Sequence, residues 1–116
     1  MIAGDGERHE REAEAFLKKS GLTLVARNWR CRLGEIDLIM KDGATLVFVE
    51  VRKRASERFG GAMASIGPQK QAKLQRAIGL YLSALPNTPA CRVDAVLYDG
   101  FDGKNAPHWE KNIFGA

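Results

Sequence analysis

The sequence predicts a mixed α/β domain with the element order αβββαβ, in which two helices flank a central mixed β-sheet. An amphipathic helical pattern opens the chain, two apolar strands surround an Asp-Gly turn, and a second helical stripe precedes a further strand. The length of 116 residues suits one domain. We assign residues 1–5 to a loose N-terminus and residues 99–116 to a C-terminal loop with a short edge strand.

The first helix is predicted at residues 5–20, because apolar residues recur at helical spacing and Gly21 follows as a typical helix stop. Its stripe consists of Ala13, Phe16 and Leu17. Residues 22–29 are predicted to form the first strand. This strand leads directly into the central pair.

The central pair of strands is predicted from Gly34 to Arg54, joined at Asp42-Gly43 by a type I′ turn. With a two-residue loop, Lys41 faces Ala44 and, further along, Asp37 faces Phe48 and Glu35 faces Glu50. The second strand is apolar on both faces, so we expect it in the middle of a covered sheet.

A glycine-containing loop is predicted at residues 55–68, followed by a helix from Pro68 to about residue 85. The apolar stripe of this helix consists of Leu74, Ile78, Tyr81 and Leu82. Residues 91–98 alternate as a strand, in which we expect Asp94 to be a structural hydrogen-bond acceptor. Residues 107–110 fit a short edge strand.

Composition points to a cytoplasmic protein with no membrane partner, because no apolar run approaches the length that spans a bilayer and the N-terminus lacks a signal pattern. Cys31 and Cys91 lack the spacing of a zinc site or a disulfide scaffold, and we expect two buried or half-buried thiols. The net charge of +4 favours an anionic partner such as nucleic acid. Basic residues flank the acidic ones along the chain, which fits approaching phosphates or simply a solvated rim.

Acidic residues on the central strands are the strongest functional signal. Glu50 interrupts an apolar strand, and alternation places Glu35, Asp37, Glu50 and Arg52 on one face. In the predicted register Asp37 and Glu50 are diagonal neighbours, and a divalent cation such as Mg²⁺ would relieve their repulsion. Arg52 could then meet a phosphate. Spacing alone fits equally well a structural role, in which Glu50 ends the strand and pairs with Arg52 or with a neighbouring basic residue.

Glu10 extends the core-facing stripe of the first helix toward its N-terminus. It could bring a third carboxylate to the sheet. The residue also fits a plain solvated helix face, since several glutamates surround it.

These residues together resemble the YraN family of uncharacterised bacterial proteins over about residues 6–98. The motifs are Arg27-Asn28-Trp29-Arg30, Gly34-Glu35-Ile36-Asp37-Leu38-Ile39, Val47-Phe48-Val49-Glu50-Val51 and Arg92-Val93-Asp94, with Glu10, Arg54 and Lys70. The family is similar to archaeal Holliday junction resolvases and to the restriction-endonuclease-like, PD-(D/E)XK, nuclease superfamily. The resemblance implies a restriction-endonuclease-like fold.

The resemblance to this family also implies a Mg²⁺- or Mn²⁺-dependent DNA endonuclease that is selective for branched or junction DNA and works as a homodimer. Glu10, Asp37 and Glu50 would hold the metal, and Arg52 falls where the superfamily has a lysine. Arginine stays protonated, so Lys70 is the candidate for a relocated lysine. Backbone phosphates are assigned to Lys53, Arg54, Arg58, Lys70 and Lys73. A non-catalytic nucleic-acid-binding module and an RNA substrate remain alternatives.

Overall fold

The computed structural model describes residues 5–54, 66–99 and 107–115, without the side chains of residues 5–7, Arg54 and Asp99. Two helices and five strands lie in this part of the chain. They are α1 (Asp5–Lys19), β1 (Thr23–Cys31), β2 (Gly34–Asp42), β3 (Thr45–Arg54), α2 (Pro68–Ser83), β4 (Cys91–Asp99) and β5 (His108–Glu110). The order αβββαβ with a short C-terminal strand is confirmed.

The strands form one mixed sheet in the order β1-β2-β3-β4-β5, so β3 is the central strand. It pairs with β2 antiparallel and with β4 in parallel, and the chain crosses over through α2. Val47 and Val49 of β3 pack under α1, whereas Phe48 packs under α2. Both faces of β3 are therefore covered, as its continuous apolar sequence predicts.

Helix α1 packs on the sheet through Ala13 and Leu17, which are fully buried. It ends in a Schellman motif, in which the N–H of Leu22 donates to the carbonyl of Leu17 and that of Gly21 to Lys18. Gly21 has a φ of +103°, which L side chains rarely adopt. The predicted stop is confirmed.

An ion pair ties α1 to β1. Arg27 donates to both carboxylate oxygens of Glu14, over 2.6 and 3.0 Å, and Lys18 lies 2.7 Å from the same carboxylate. The hydrogen bond from Arg27 holds the pKa of Glu14 below its ordinary value.

Helix α2 begins at Pro68, whose fixed φ suits the first turn and whose missing N–H costs nothing there. It covers the opposite face of the sheet, where Leu74, Ala77 and Ile78 are buried beneath it. Tyr81 stands edge-on to Trp29 and to Phe48. Trp29 is thus a packing residue of β1.

The predicted register of the central hairpin is wrong by two residues. Asp42 pairs with Thr45, and Leu38 pairs with Val49, so the loop is Gly43-Ala44. Gly43 has a φ of +62° and Ala44 is not among the positive-φ residues of the described chain. This is the pattern of a type II′ turn, which needs glycine only at its first central position, whereas type I′ would force Ala44 into a strained conformation.

The C-terminal segment is joined to the sheet through Asp94, which is fully buried. Its carboxylate accepts hydrogen bonds from Trp109 Nε1, from the backbone N–H of Asn112 and from Arg92 Nε. Four donor contacts in the 2.9–3.2 Å range offset its burial. The expected structural role of Asp94 is confirmed.

No helix among the described residues is long and apolar enough to cross a membrane. Cys31 and Cys91 are both free thiols, and Cys31 is half-buried as expected. The expected burial of Cys91 is wrong, because this residue stands at the first position of β4 and is exposed. The predicted loop at residues 55–68 lies almost entirely outside the described residues.

Candidate functional site

All five residues predicted to act in catalysis border one cavity of about 210 Å³, which we call the carboxylate cavity. Its lining consists of His9, Glu10, Asp37, Glu50, Val51, Arg52, Lys53 and Lys70. These residues come from α1, β2, β3 and α2. Folding therefore brings together residues that are up to 61 positions apart in the chain.

Asp37 and Glu50 form the centre of the cavity. In the observed register Leu38 pairs with Val49, so the next position brings Asp37 directly opposite Glu50. The prediction of a diagonal arrangement is wrong, as is the pairing of Glu35 with Glu50. A shift of two residues leaves each side chain on its original face, because side chains alternate with a period of two. Continued by one position, this register places Asp37 and Glu50 at opposite rather than diagonal positions.

Both carboxylates are buried, with relative exposures of 6% for Asp37 and 2% for Glu50. The backbone N–H of Val51 donates to Asp37 Oδ2 over 2.9 Å, which fixes the orientation of that carboxylate. Glu50 Oε2, by contrast, is buried and has no hydrogen-bond partner among the described residues. A buried acceptor with no donor costs stability, and such atoms in folded proteins call for an explanation.

Burial raises the pKa of Glu50 to about 8, and the neighbouring charge of Asp37 adds to the effect. The positive charges of Lys70 and Arg52 act in the opposite direction but do not cancel it. The carboxyl of Glu50 is therefore protonated more readily than that of an ordinary glutamate. This is the electrostatic condition that a divalent cation would relieve.

The residues present fit Mg²⁺ or Mn²⁺ better than an ion such as Zn²⁺, which proteins hold with three or four side-chain ligands. Mg²⁺ prefers oxygen ligands and takes only one or two carboxylates, with water and substrate phosphate supplying the rest. No group of three or more His, Cys, Asp and Glu side chains with metal-binding geometry occurs among the described residues. Asp37 and Glu50 would thus be the principal ligands, with Glu10 at the wall of the cavity.

Two cationic side chains stand beside the carboxylates. Lys70 Nζ in the first turn of α2 lies 3.6 Å from Glu50 Oε1. Arg52 follows Glu50 by two positions on β3 and borders the cavity. The structural ion pair that spacing allowed for Glu50 is formed with Lys70, at a separation longer than a hydrogen bond.

His9 and Asn28 are features of the site region that the sequence reasoning missed. His9 borders the cavity and stacks on Tyr98 with ring centroids 4.6 Å apart. Asn28 lies opposite Asp37 in the β1–β2 pairing and has a φ of +47°. Asparagine is one of the few non-glycine residues that tolerate this conformation, which was the available signal.

The residues assigned to phosphate binding separate into three groups. Lys53 and Lys70 border the carboxylate cavity, although Lys53 alternates with Arg52 along the strand. Lys73 borders a neighbouring cavity. Arg58 lies outside the described residues, and of Arg54 only the backbone at the end of β3 is described.

Comparison with known sequences links the whole region to one family. Residues 9–98 match the model of the uncharacterised protein family UPF0102. A UPF0102 protein of Nitrosospira multiformis is 54% identical over 109 residues, which cover 94% of this chain and 91% of the relative. A UPF0102 protein of Neisseria gonorrhoeae is 52% identical over 112 residues, or 95% of this chain and 94% of the relative. The five predicted catalytic residues all lie within the matched range.

Proposed function

The chain belongs to UPF0102, the YraN family, and we propose from its site that it is a metal-dependent endonuclease that hydrolyses phosphodiester bonds in DNA. The observation that carries this proposal is the pair of buried carboxylates, Asp37 and Glu50. One oxygen of Glu50 has no hydrogen-bond partner in the part of the chain that the structure describes, and the pKa of the Glu50 carboxyl is raised to about 8. Both features would be relieved by a divalent cation in the carboxylate cavity.

Asp37 and Glu50 would hold this cation, with Glu10 as a third, outer carboxylate. When bound there, Mg²⁺ or Mn²⁺ would supply Lewis-acid activation of water and of the phosphodiester. The N–H of Val51 keeps Asp37 oriented toward the cavity in advance. Such pre-positioning lowers the reorganisation needed when substrate arrives.

Lys70 and Arg52 would neutralise the charge that develops on the phosphate. Arg52 would act only as a cation, because guanidinium remains protonated at any ordinary pH and cannot accept a proton from water. Lys70 is the relocated lysine of this proposal. Its Nζ lies 3.6 Å from Glu50 Oε1, on the side of the cavity formed by α2.

The proposal also covers the structure of the DNA substrate and the oligomeric state of the protein. The resemblance to resolvases favours branched or junction DNA and a homodimer, in which two sites would cut two strands. Contacts to the backbone by Lys53 and Lys70 would give little base specificity.

A second candidate is a nucleic-acid-binding module that retains the fold without catalysis. Arg52 favours it, since arginine stands where nucleases of this superfamily carry a lysine. Such a module would bind nucleic acid equally well with or without a divalent cation.

Cleavage of labelled DNA tests the proposal. Wild type and Glu50→Gln are incubated with a four-way junction, a matched DNA duplex and a matched RNA duplex, in Mg²⁺, in Mn²⁺ and in EDTA. We expect wild type to cut DNA only with metal, and the variant to be slower by at least about a hundredfold, because even the outer partners of metal ligands change activity 10- to 100-fold.

Equal cleavage by wild type and Glu50→Gln would contradict the proposed site. Binding by both proteins without cleavage would favour the non-catalytic module. In that case Arg52→Lys is the informative variant, since gain of cleavage would show that the arginine alone had silenced the site.

A further inference from the structure

A second cavity of about 400 Å³ adjoins the carboxylate cavity, and we call it the lysine cavity. It lies between the β1–β2 turn and α2. Its lining consists of Arg30, Cys31, Gly34, Glu35, Lys70, Lys73 and Leu74. Lys70 borders both cavities, so the two are neighbours on either side of this one side chain.

The lysine cavity carries an excess of positive charge, because Arg30, Lys70 and Lys73 face a single carboxylate, Glu35. A third cavity, of about 360 Å³, adjoins the carboxylate cavity at Glu10 on the opposite side. Its charges balance, because its two arginines are matched by two glutamates. The attraction for an anionic strand is thus concentrated on one side of Asp37 and Glu50.

The cations of the lysine cavity are available to a ligand. No carboxylate among the described residues pairs with Lys73, which is exposed. Arg30 lies 3.3 Å from Glu35, but both side chains are largely exposed, with 76% and 41% relative exposure. Exposed pairs of this kind contribute little free energy, so a phosphate can replace Glu35 as the partner of Arg30.

The walls of the lysine cavity are held in place before any ligand arrives. Gly34 approaches α2 so closely that a Cβ there would lie 3.3 Å from the carbonyl oxygen of Lys73. Leu74, which is 1% exposed, anchors the same turn of α2 in the core. The spacing between the turn and the helix is therefore fixed by backbone contact and burial.

We propose that the lysine cavity binds the nucleotide adjacent to the scissile phosphodiester, with its phosphate on Lys73 and Arg30. Lys70 then stands between this phosphate and the one at the carboxylates. The volume falls within the range of small-ligand sites, which is sufficient for one nucleotide. The inference rests on the proposed function and adds that, among the cavities formed by described residues, the one with excess positive charge beside the cut is the lysine cavity.

DNA binding in EDTA tests this subsite without cleavage. Fluorescence anisotropy of a labelled duplex is measured over a series of salt concentrations for wild type, for Arg30→Ala/Lys73→Ala and for Lys19→Ala/Lys41→Ala. The control pair removes the same charge from exposed lysines that border none of the three cavities. We expect the slope of log affinity against log salt to fall by about 2 for the subsite pair and to remain unchanged for the control.

Equal slopes for wild type and both variants would overturn the subsite. An equal decrease of the slope in the two variants would also overturn it, because the effect would then come from net charge alone. If wild type binds no DNA at all, the proposed function and the subsite fall together. If the slopes differ as expected but wild type cleaves nothing with metal, the subsite stands and the proposed catalysis falls. Thermal unfolding of each variant confirms that the exposed substitutions leave the fold intact.

Discussion

Glu50 is a single residue whose place in the site lowers the stability of the fold. The chain places this carboxyl on the central strand, where neighbouring positions are fully apolar, and leaves one oxygen without a hydrogen bond. Replacing it by an apolar residue would remove that cost. The arrangement is understandable if the unfavourable energy is recovered when a cation binds.

The raised pKa of Glu50 makes stability depend on pH. Below pH 4.5 the carboxyl is protonated in both the folded and unfolded chains, so it contributes no pH dependence. Between about 4.5 and 8 the unfolded chain releases this proton while the folded chain keeps it. The free energy of unfolding in EDTA should therefore fall as pH rises across this window, by at most about 5 kcal/mol, and level off above it.

The side chain of the Glu50→Gln variant is neutral at every pH. The free energy of unfolding of this variant should therefore lack the pH-dependent contribution of Glu50. Urea unfolding of both proteins at pH 5, 6.5 and 8.5 measures the difference, and the variant should gain on wild type as pH rises. Parallel pH profiles for the two proteins would show that Glu50 titrates normally, and the electrostatic argument for a cation would then be lost.

The sequence predicted which residues border the carboxylate cavity, but it did not predict how those residues are placed relative to one another. Alternation along the strands and the family resemblance together gave Glu10, Asp37, Glu50, Arg52 and Lys70, which do border one cavity. Alternation cannot detect a shift of two residues, because such a shift preserves every face. The direct opposition of Asp37 and Glu50 therefore required the turn geometry, which depends on whether Ala44 can adopt a positive φ.

At the scale of elements, the lysine cavity depends on the contact between the β1–β2 turn and α2. Gly34 makes this contact possible, and its φ of +152° is rarely adopted by L side chains. Gly34→Ala should destabilise the protein by about 1–3 kcal/mol through backbone strain and the close carbonyl of Lys73. Chemical denaturation measures this loss.

Gly79→Ala is the matched control for that substitution. Gly79 lies inside α2, where a Cβ would meet nothing within 4 Å. Alanine is the better helix former, so this variant should be more stable than wild type by up to about 1 kcal/mol. A Gly34→Ala protein that also gains stability would refute the account of the turn.

Helix and strand positions followed from the sequence, but their packing did not. Gly21 and Pro68 mark helix ends by mechanisms that act locally, so α1 and α2 were predicted within about two residues at each end. The cavity between Gly34 and Lys73 joins residues 39 positions apart. A contact of that kind depends on how α2 crosses the sheet, which periodicity does not encode.

At the scale of the whole molecule, the buried carboxylates differ in how fully hydrogen bonds and ion pairs satisfy them. Asp94 has its donors supplied within the chain, by Trp109, Asn112 and Arg92. Glu14 likewise is matched by Arg27 and Lys18. Within the described parts of the chain, Glu50 Oε1 lies 3.6 Å from Lys70 Nζ, and no donor meets the buried Oε2. The incompletely matched carboxylate is the one at the cavity.

The most direct test of this account is calorimetric titration of Mn²⁺ into the metal-free protein at pH 7.5, with Asp37→Asn and Glu50→Gln beside wild type. Both variants keep the size of the side chain and replace a carboxyl group of the carboxylate cavity, which can bind a metal once ionised, by a neutral amide. We expect wild type to bind Mn²⁺ and each variant to bind at least about tenfold more weakly, because each removes a principal ligand. Absence of binding by wild type, or equal affinity in all three proteins, would contradict the claim that Asp37 and Glu50 form a metal site.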